Sequence, residues 1–451
     1  MALFTIFSMI VAVLTICLYH VYPHKDPLLG LDFFFKYMSA FKSGTFLDFN
    51  KTMYDTYGKT FKANSFGTTL IRTIDPQVSK AVHATYFQNF GLQGLRYETA
   101  KHLWGNGIIV VDGPHWQHGR SLIRSSFDIV HIANFARLEK HVQRMMELLP
   151  TDGSTIDLMP LFKRLILDTS SEFIFGESMG ALSETTDYKR FMDAFERAQR
   201  GTGIRAILGR FKFLHRDRTW WNACQEVTDY ADTHVEAALL RQKTITNKDG
   251  TTDQSAPLRL VDEMAKDTQD KVTLRSHIIS VFSPAHDGAA VTLTNAMFHL
   301  ARNPTAWEPH RLTTIATINQ RQCTQSTVLP CGGGIEGKDP LYVQKGDIVE
   351  INYRAMCRDE IFWGDNADQF MPERWETIRP GWEYTPFGGG PRSCPGMRLV
   401  YTESAYVLVS LLRAYDRIEN RDLELRWVEE MRMTAQSKNG CLVGLIRDVR
   451  R

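Results

Sequence analysis

The sequence has 451 residues, of which 43% are hydrophobic and 11% aromatic, enough for one large domain or for two to three ordinary ones. Lys and Arg number 53 against 51 Asp and Glu, and this balance offers no basic excess for neutralising nucleic-acid phosphates. The seven cysteines are widely spaced and include no CxxC pair, which favours reduced thiols over a disulfide framework or a zinc site.

The first 22 residues predict a membrane anchor. Residues 1–22 contain no charged side chain and are nearly all apolar, whereas about 20 apolar residues span a bilayer. A cleaved signal peptide is the alternative, but it would begin with a basic segment, which is absent. Lys25, Lys36 and Lys42 follow the apolar stretch, so the positive-inside rule places residues 23–451 in the cytosol.

Two local signals follow in the first quarter of the chain. Residues 67–74 alternate in the manner of a β-strand, and the sequence DGP at residues 112–114 is typical of a helix start. Trp116 and Arg120 are four residues apart in that helix and therefore share one face. Their N–H groups can both donate to one carboxylate, although such a pair taken alone is more often core edge and surface.

Helical periodicity is strong in the middle of the chain. Apolar residues recur at helical spacing over residues 132–149 and 158–175, and residues 187–245 are helical and rich in arginine and aromatic side chains. A solvated face is the ordinary interpretation of that last stretch, and a membrane-facing stripe is the functional one. The polar residues 244–257 predict an exposed loop.

A long apolar helix is predicted over residues 274–300, with SPAHDGAA at residues 283–290 in its middle. Pro and Gly inside a helix predict a kink. Asp287 at such a kink is either a capping or ion-paired acid or a functional one. Asn303 then predicts the cap of a further helix, which Pro309 would interrupt after barely one turn.

Residues 332–339, with the sequence GGGIEGKD, nearly match a phosphate-binding loop. The closing Ser or Thr is missing and a strand pattern follows, so no helix N-terminus would face a phosphate. We therefore predict a hairpin tip there and no nucleotide site. An apolar helix is predicted over residues 402–412, with terminal strands after it.

The most informative stretch is FGGGPRSCPG at residues 387–396, which its glycines and prolines keep from forming a regular helix or strand. A helical pattern begins at Met397, and a helix N-terminus favours the thiolate of Cys394. Arg392 supplies a cation suited to a carboxylate, and the glycines permit close approach of a large flat ligand. Together these features predict a haem site with Cys394 as the axial ligand.

The pattern F-x-x-G-x-R-x-C-x-G in this stretch resembles the haem-binding signature of the cytochrome P-450 superfamily, in which a cysteine thiolate holds the haem iron. The W-x-x-x-R pair at residues 116–120 is similar to the pair that binds a haem propionate in that family. The resemblance therefore implies a set of haem-binding residues: Trp116, Arg120, Phe387, Arg392, Cys394 and Gly396.

The resemblance also implies a structural triad and a deletion. FMPERW at residues 370–375 resembles the family's F-x-P-E-R-F/W, whose arginine, here Arg374, forms an ion-pair triad with an E-x-x-R motif. Glu308 and Arg311 spell E-x-x-R with a proline inside it. The family has several further helical turns here, so several tens of residues are expected to be missing around residues 303–312.

The middle of the long helix resembles the family's oxygen-binding motif, A-G-x-D/E-T-T/S. Ala285 takes the small position, Asp287 the acid, and Ala289 the position of the family's threonine. Ala289 has no hydroxyl group, although the family's hydroxyl helps to deliver protons. A water molecule, Thr292 one turn later, or a substrate hydroxyl would have to serve instead.

The resemblance implies a mainly α fold with a small β region, preceded by a transmembrane helix. It further implies a haem-dependent monooxygenase that inserts one atom of O2 into a lipophilic substrate such as an alkyl chain, a fatty acid or a secondary metabolite. No flavin or nicotinamide fingerprint is present, so electrons would come from NADPH through a separate NADPH-cytochrome P-450 reductase. The endoplasmic reticulum membrane is the expected location, with membrane lipid and the reductase as partners.

Residues 329–403 look most like the fungal alkane and fatty-acid hydroxylase branch of the superfamily. Two alternatives remain open. The missing hydroxyl at Ala289 would suit a haem-thiolate isomerase or dehydratase without ordinary oxygen activation. The shortening near Glu308 would suit a truncated, inactive member that binds haem poorly.

Overall fold

The computed structural model describes residues 31–65, 67–124, 127, 135–247, 259–303, 309–334, 336–432 and 434–447. The predicted anchor at residues 1–22 and the predicted triad acid Glu308 lie outside these residues. The described chain is mainly helical with short strands, which confirms the predicted mainly α architecture with a small β region. Within it, no helix combines the length and the apolar composition that crossing a bilayer requires.

The described helices, labelled in chain order, are α1 Leu31–Ser43, α2 Phe46–Tyr57, α3 Pro76–Lys80, α4 Gln93–Trp104, α5 Gly113–Arg124, α6 Phe135–Glu147, α7 Leu158–Phe175, α8 Thr186–Leu208, α9 Arg218–Asn247, α10 Leu260–Asp267, α11 Lys271–Arg302, α12 Pro309–Leu312, α13 Tyr353–Met356, α14 Glu360–Trp363, α15 Arg374–Thr377 and α16 Met397–Ala414. The strands are β1 Thr60–Ser65, β2 Thr68–Thr73, β3 Phe90–Gly91, β4 Thr155–Asp157, β5 Ile318–Cys323, β6 Thr327–Gly333, β7 Asp339–Val343, β8 Ile348–Asn352, β9 Arg417–Asn420, β10 Glu429–Met431, β11 Ala435–Ser437 and β12 Leu442–Ile446.

The chain forms two compact units, each assembled from separate segments. The first, called the sheet unit below, comprises Met1–Gly91, Arg311–Ser393 and Val428–Met431. The second, called the helical unit, comprises Leu92–His310, Cys394–Trp427 and Arg432–Arg451.

The sheet unit is built on a five-stranded sheet in the order β1-β2-β8-β5-β3 and on the hairpin β6-β7. Strands β2 and β8 pair in parallel, and the other neighbours pair antiparallel. Strand β2 confirms the strand predicted over residues 67–74. The hairpin confirms the tip predicted at residues 332–339.

A buried ion pair crosses the middle of this sheet. The Nε of Arg72 donates to Oε1 of Glu350 over 2.7 Å, and the two side chains are 0% and 3% exposed. Glu350 also accepts from Gln320, and the rings of Tyr54 and Phe61 lie 5.7 Å and 5.6 Å from the guanidinium carbon. A buried charge is tolerated when it is paired and hydrogen-bonded, and the Glu350 carboxylate provides both for Arg72.

The helical unit is organised around α11, whose start is capped by Asp270 through the N–H groups of Val272 and Thr273. Helix α7 packs along it, and both contribute to a core that also contains residues of α6, α16 and β12. The observed helix confirms the one predicted over residues 274–300. It continues without interruption through Pro284, whose ring is exposed.

Helix α7 coincides with the predicted stretch 158–175 because both of its ends carry strong signals. Asp157 accepts a hydrogen bond from the N–H of Met159, and Gly176 ends the helix in the left-handed conformation at φ +91°. The stretch predicted over residues 187–245 is divided into α8 and α9 by a 3-10 turn, Gly209–Leu214.

One prediction of local structure needs correction: helix α9 reaches Asn247, so residues 244–247 are helical and do not belong to the predicted exposed loop. Asn303 ends α11, and its N–H donates to the carbonyls of His299 and Leu300. Helix ends expose carbonyl groups that need donors, and Asn303 supplies one. Pro309 is the first residue of the short helix α12, a position that needs no N–H. The short helix predicted directly after Asn303 falls on residues 304–308, outside the described residues, and stays a prediction.

Candidate active site

Cys394 lies three residues before α16, which begins at Met397 as predicted. The backbone N–H groups of Gly396 and Met397 donate hydrogen bonds to the thiol. Cys394 is exposed, whereas every other cysteine of the described chain is buried. Burial raises the pKa of Cys394 above its ordinary value, and the two N–H groups and the Arg120 guanidinium reduce that rise without cancelling it. The site thus offers an accessible sulfur atom with two N–H donors and a cation beside it.

Helix α5 carries Trp116 and Arg120 on one face, as their spacing predicted. Trp116 is buried and Arg120 is half-buried. Burial lowers the pKa of Arg120 and the charge of Cys394 raises it, so the guanidinium lies within electrostatic range of the sulfur. The structure therefore brings Arg120 and Cys394 together. His115 and His118 on the same helix are exposed.

Gly119 allows α5 to pack closely on α11. A Cβ atom at Gly119 would collide with Cε1 of His277 and would lie 2.6 Å from Cγ2 of Ile108. Burial lowers the pKa of His277 to about 4, so this ring is neutral at neutral pH. The glycine thus determines how near the helix that bears Trp116 and Arg120 can lie to α11.

Glu403 on α16 is a buried carboxyl group that the sequence analysis did not select. Burial raises its pKa to about 7, and Arg137 of α6 lowers it. The Arg137 guanidinium lies 5.0 Å from the centroid of the Phe173 ring on α7. On the same two helices, Nε2 of His141 and Oε2 of Glu172 form a hydrogen bond of 2.5 Å. These side chains connect the first turns of α16, the helix that follows Cys394, to α6 and α7.

In the sheet unit, backbone contacts shape the glycine-rich loop that precedes Cys394. Gly390 has φ +67°, and a Cβ atom there would collide with the carbonyl oxygen of His83. A Cβ atom at Gly389 would collide with the ring of Trp382. Glycine is therefore required at both positions.

The remaining loop residues of the signature are less constrained. Phe387 and Arg392 are half-buried, and their predicted haem contacts stay predictions. Gly396 has φ −85°, and a Cβ atom there would lie 3.9 Å from Sγ of Cys394, an ordinary van der Waals distance. The role of Gly396 seen here is the hydrogen bond from its N–H to the thiol.

Arg311 and Arg374 of the predicted triad converge on one backbone oxygen. Arg311 is fully buried and donates to the carbonyls of Cys357 and Ala367 at 2.8 Å and 2.6 Å. Both arginines also donate to the carbonyl of Gln369, at 3.0 Å from Arg311 and 3.4 Å from Arg374. The pair therefore fixes the backbone of residues 357–369 within the sheet unit, whatever the third member of the triad contributes.

Asp287 on α11 is directed towards α7 and β11. Its carboxylate accepts a hydrogen bond from the hydroxyl of Thr434, and Oδ1 lies 3.9 Å from Nζ of Lys163. Lys163 in turn donates to Oε1 of Gln436 at 2.7 Å. These contacts match the ion-paired interpretation of Asp287. Its predicted catalytic role stays a prediction.

Ala289 is 1% exposed and belongs to the hydrophobic core of the helical unit. Its neighbour Gly288 is partly exposed, and a Cβ atom there would have no heavy atom within 4 Å. Of these two small residues that follow Asp287, Gly288 is therefore the one that faces open space. The catalytic role predicted for position 289 stays a prediction, and its side chain packs in the core.

A family model described as Cytochrome P-450 matches residues 27–329 and, in a second stretch, residues 307–438. The chain belongs to the cytochrome P-450 family. Among its curated relatives, cytochrome P-450 monooxygenase iccC from Talaromyces variabilis is 35% identical over 473 residues, covering 94% of this chain and 91% of that protein.

Two further fungal relatives are similar to the chain over most of their length. Cytochrome P-450 monooxygenase apdE from Emericella nidulans is 32% identical, with 95% of this chain and 88% of that protein covered. Cytochrome P-450 monooxygenase iliC from a Neonectria species is 33% identical, with 94% and 90% covered. The chain is accordingly a cytochrome P-450 monooxygenase.

The residues around Cys394 fit the haem iron that the P-450 family implies. An axial ligand must be accessible, and Cys394 is exposed, with two N–H donors and the Arg120 cation near its sulfur. Burial raises the pKa of the free thiol, but a metal ion deprotonates the thiol that coordinates it. Arg120 and Trp116 also offer N–H donors of the kind that a propionate requires. The resemblance indicated these three residues, and their haem-binding roles stay predictions. It did not indicate Glu403, Gly119 or His277, which contribute through packing.

Proposed function

We propose that this P-450 is a membrane-anchored haem-thiolate enzyme that oxidises a lipophilic small molecule with electrons from NADPH. The observation that carries the proposal is the exposed Cys394, held at the start of α16 within range of Arg120. When bound, haem supplies the oxygen-activating chemistry, and a thiolate ligand pushes electron density towards O–O cleavage.

The chain's own residues bind and orient the cofactor in this proposal. Cys394 ligates the iron, while the N–H groups of Gly396 and Met397 limit the negative charge on its sulfur. Trp116 and Arg120 donate to a propionate, because Arg with carboxylate is a strong charge-assisted pair. The family's pattern assigns Phe387 and Arg392 to the haem as well.

The proposed membrane contact has support in the helical unit besides the apolar residues 1–22. The turn between α8 and α9 exposes large apolar side chains, with Phe213 60% and Leu214 63% accessible. Arg210 and Lys212 lie in the same turn. Apolar side chains interleaved with cations suit the interface of an anionic bilayer. We therefore propose that the domain lies on the cytosolic face of the endoplasmic reticulum membrane.

For the substrate we propose a lipophilic alkyl chain, fatty acid or secondary metabolite, with a separate NADPH-cytochrome P-450 reductase as the electron donor. Similarity to fungal monooxygenases supports a fungal small molecule. The hydroxylase-branch likeness of residues 329–403 stays a prediction.

We also propose that residues are missing near position 308. The family model matches the chain in two stretches that overlap at residues 307–329, as expected if the family's sequence is interrupted there. The alignment with the Talaromyces protein extends over 473 positions, more than the 451 residues of this chain. The relative therefore carries residues that this chain lacks.

The reduced, carbon monoxide-bound absorption spectrum tests the proposal. Wild-type protein should give the spectrum of a thiolate-ligated haem, and Cys394→Ser should abolish it because a serine oxygen is a far poorer ligand. Cys224→Ala, at a buried thiol, is the control and should keep the spectrum. A Cys394→Ser protein with an unchanged spectrum would contradict the assignment of the ligand.

A second measurement separates the proposed activity from its alternatives. A monooxygenase should form product only with NADPH, reductase and O2, whereas an isomerase or dehydratase would turn over without them.

Haem occupancy tests the role of Arg120. Arg120→Ala should lower haem occupancy relative to Arg124→Ala, a change at an exposed arginine one turn later on α5. Equal haem occupancy in the two variants would show that Arg120 does not bind haem.

A further inference from the structure

A buried side-chain pair, His83 and Tyr353, lies in the core of the sheet unit. The hydroxyl of Tyr353 and Nε2 of His83 are 2.9 Å apart, a hydrogen bond that either tautomer of the imidazole can form. His83 is 3% and Tyr353 1% exposed. Burial, and to a lesser degree Arg321, lowers the pKa of His83 to about 3, so the ring is neutral at neutral pH. Breaking such a pair is costly, because no water in the core replaces the lost bond.

Tyr353 is the more firmly held member of the pair. It begins α13 directly after β8, which lies in the middle of the five-stranded sheet and pairs with a neighbour on each side. The side chain of Asn352 accepts a hydrogen bond from the N–H of Ala355 at 2.9 Å and thereby caps α13. Strand and cap together fix the backbone of Tyr353, so its hydroxyl meets His83 from a rigid support.

His83 lies in an irregular turn of helix. Helix α3 continues after Lys80 into a π-helical turn, Ala81–Thr85, in which the N–H of Tyr86 donates to the carbonyl of Ala81 at 2.7 Å. Turns of this kind are rare and frequently occur at functional sites. An unfavourable backbone conformation persists where the surrounding structure holds it, and the buried bond to Tyr353 is one contact that does so.

The backbone of the π turn touches the loop that leads to Cys394. The carbonyl of His83 lies against Gly390, where a Cβ atom would collide with its oxygen. Gly390 begins a 3-10 turn, Gly390–Arg392, and its carbonyl accepts a hydrogen bond from the N–H of Ser393 at 3.1 Å. Cys394 is the next residue in the chain. The place of the His83 carbonyl therefore limits where the backbone that enters Cys394 can lie.

We propose that the His83–Tyr353 pair positions the axial ligand of the haem: Tyr353 holds the side chain of His83, and the carbonyl of His83 holds the turn that precedes Cys394. The inference rests on the haem-thiolate function proposed above. Both residues act through the backbone, which makes them positioning residues and not catalytic ones. Replacing a residue that orients a metal ligand typically costs about 10- to 100-fold in metal affinity, and an effect near the lower figure is expected here.

The first test follows amide hydrogen exchange in the full-length protein by mass spectrometry. Tyr353→Phe removes the hydroxyl and should speed exchange about tenfold in the peptide that contains Ser393, because the turn at Gly390 loses its support. Tyr415→Phe is the control for a lost buried hydroxyl: Tyr415 is 3% exposed, its hydroxyl has no hydrogen-bond partner within the described residues, and the exchange of that peptide should not change. Unchanged exchange in Tyr353→Phe would overturn the proposal.

The second test uses the haem-loaded protein. Haem should dissociate about tenfold faster from Tyr353→Phe than from the wild type, and a larger share of the reduced, carbon monoxide-bound protein should show the spectrum of a neutral thiol ligand. His83→Leu should behave in the same way. His83→Gln keeps a polar side chain that can bond to the Tyr353 hydroxyl, so it should restore the thiolate spectrum. Equal effects of His83→Leu and His83→Gln would overturn the proposal.

The outcomes distinguish this inference from the proposed function. A wild-type chain without a thiolate spectrum would contradict the proposed function, and exchange in the Ser393 peptide would still decide whether Tyr353 holds the turn. A Tyr353→Phe protein that is less stable to urea but keeps the wild-type spectrum and haem dissociation rate would show a merely structural role. That result would overturn the positioning role and leave the proposed function intact.

Discussion

A single side chain, Glu403 on α16, makes the stability of the folded protein depend on pH. Burial raises its pKa from an ordinary 4.5 to about 7, which exceeds the opposing influence of Arg137. The folded protein therefore holds a proton between these pH values that the unfolded chain releases. Because the folded state binds more protons there, the free energy of unfolding falls as the pH rises. The stability that protonated Glu403 contributes is fully present below pH 4.5 and is lost as the pH rises through 7.

We predict that Glu403→Gln removes this part of the pH dependence. Glutamine cannot ionise, so the variant should gain about 2 kcal/mol in the free energy of unfolding relative to wild type at pH 8. At pH 4.5 the gain should be small, because wild-type Glu403 is then protonated. Urea unfolding of the haem-loaded protein at both pH values measures the difference.

Glu139→Gln on α6 is the control for that experiment, because Glu139 is exposed. It should leave the pH dependence of unfolding unchanged. Parallel curves for Glu403→Gln and wild type would show that Glu403 ionises in the folded protein as it does in water.

The buried guanidinium of Arg311 makes hydrogen bonds that a lysine at this position could not reproduce. Its planar fork donates to three backbone carbonyls, those of Cys357, Ala367 and Gln369. Arg311→Lys should leave at least one of them unsatisfied and lower the free energy of unfolding by about 2 kcal/mol. The exposed Arg379 offers a comparison, and Arg379→Lys should change stability by less than about 0.5 kcal/mol. Similar losses in the two variants would contradict this account.

At the scale of elements, the helices that the sequence predicted well are those with both periodicity and capping residues. Helices α7 and α11 begin after Asp157 and Asp270, and both predictions agree with the structure to within a few residues. Sequence could not show which way an element faces its neighbours. Of the two small residues that follow Asp287, Ala289 packs in the core and Gly288 faces open space, a difference that the sequence pattern does not show.

The same limit applies to α5, where spacing identified Trp116 and Arg120 and gave no hint of Gly119. We predict that Gly119→Ala lowers the free energy of unfolding by about 1–3 kcal/mol and reduces haem occupancy, because the methyl group forces α5 away from α11. Gly203→Ala in α8 meets no heavy atom within 4 Å and should stabilise the protein by up to about 1 kcal/mol. Thermal unfolding and haem content would test both, and a neutral Gly119→Ala would contradict the tight packing.

At the scale of the whole molecule, the sequence motifs selected the proposed haem ligand and the arginines because each motif depends on a few residue types at fixed spacing. The buried groups that support them come from distant parts of the chain. Glu403 and Arg137 belong to helices α16 and α6, and only the fold brings them together. Packing of this kind leaves no local pattern in a single sequence.

The shortening proposed near residue 308 also concerns the whole molecule. Arg311 and Arg374 already hold the backbone of residues 357–369 through carbonyl groups, so the sheet unit does not depend on a carboxylate for these contacts. Both arginines donate to the Gln369 carbonyl, and in the family's pattern a glutamate on a full helix completes the triad with a charge that favours both cations. The additional residues would therefore matter most for how firmly the Cys394 loop is held.

We predict that this chain binds haem less tightly than a version in which a helical segment is restored between Glu308 and Arg311. A suitable insert is a segment of several helical turns that ends in an E-x-x-R motif. Haem content after gel filtration should rise in the restored protein, and its thiolate spectrum should survive longer at 37 °C. An insert of the same length in which the E-x-x-R glutamate is replaced by glutamine separates the carboxylate from the added helix. Equal haem retention with and without the segment would mean that the arginine–carbonyl network alone is sufficient to hold the loop.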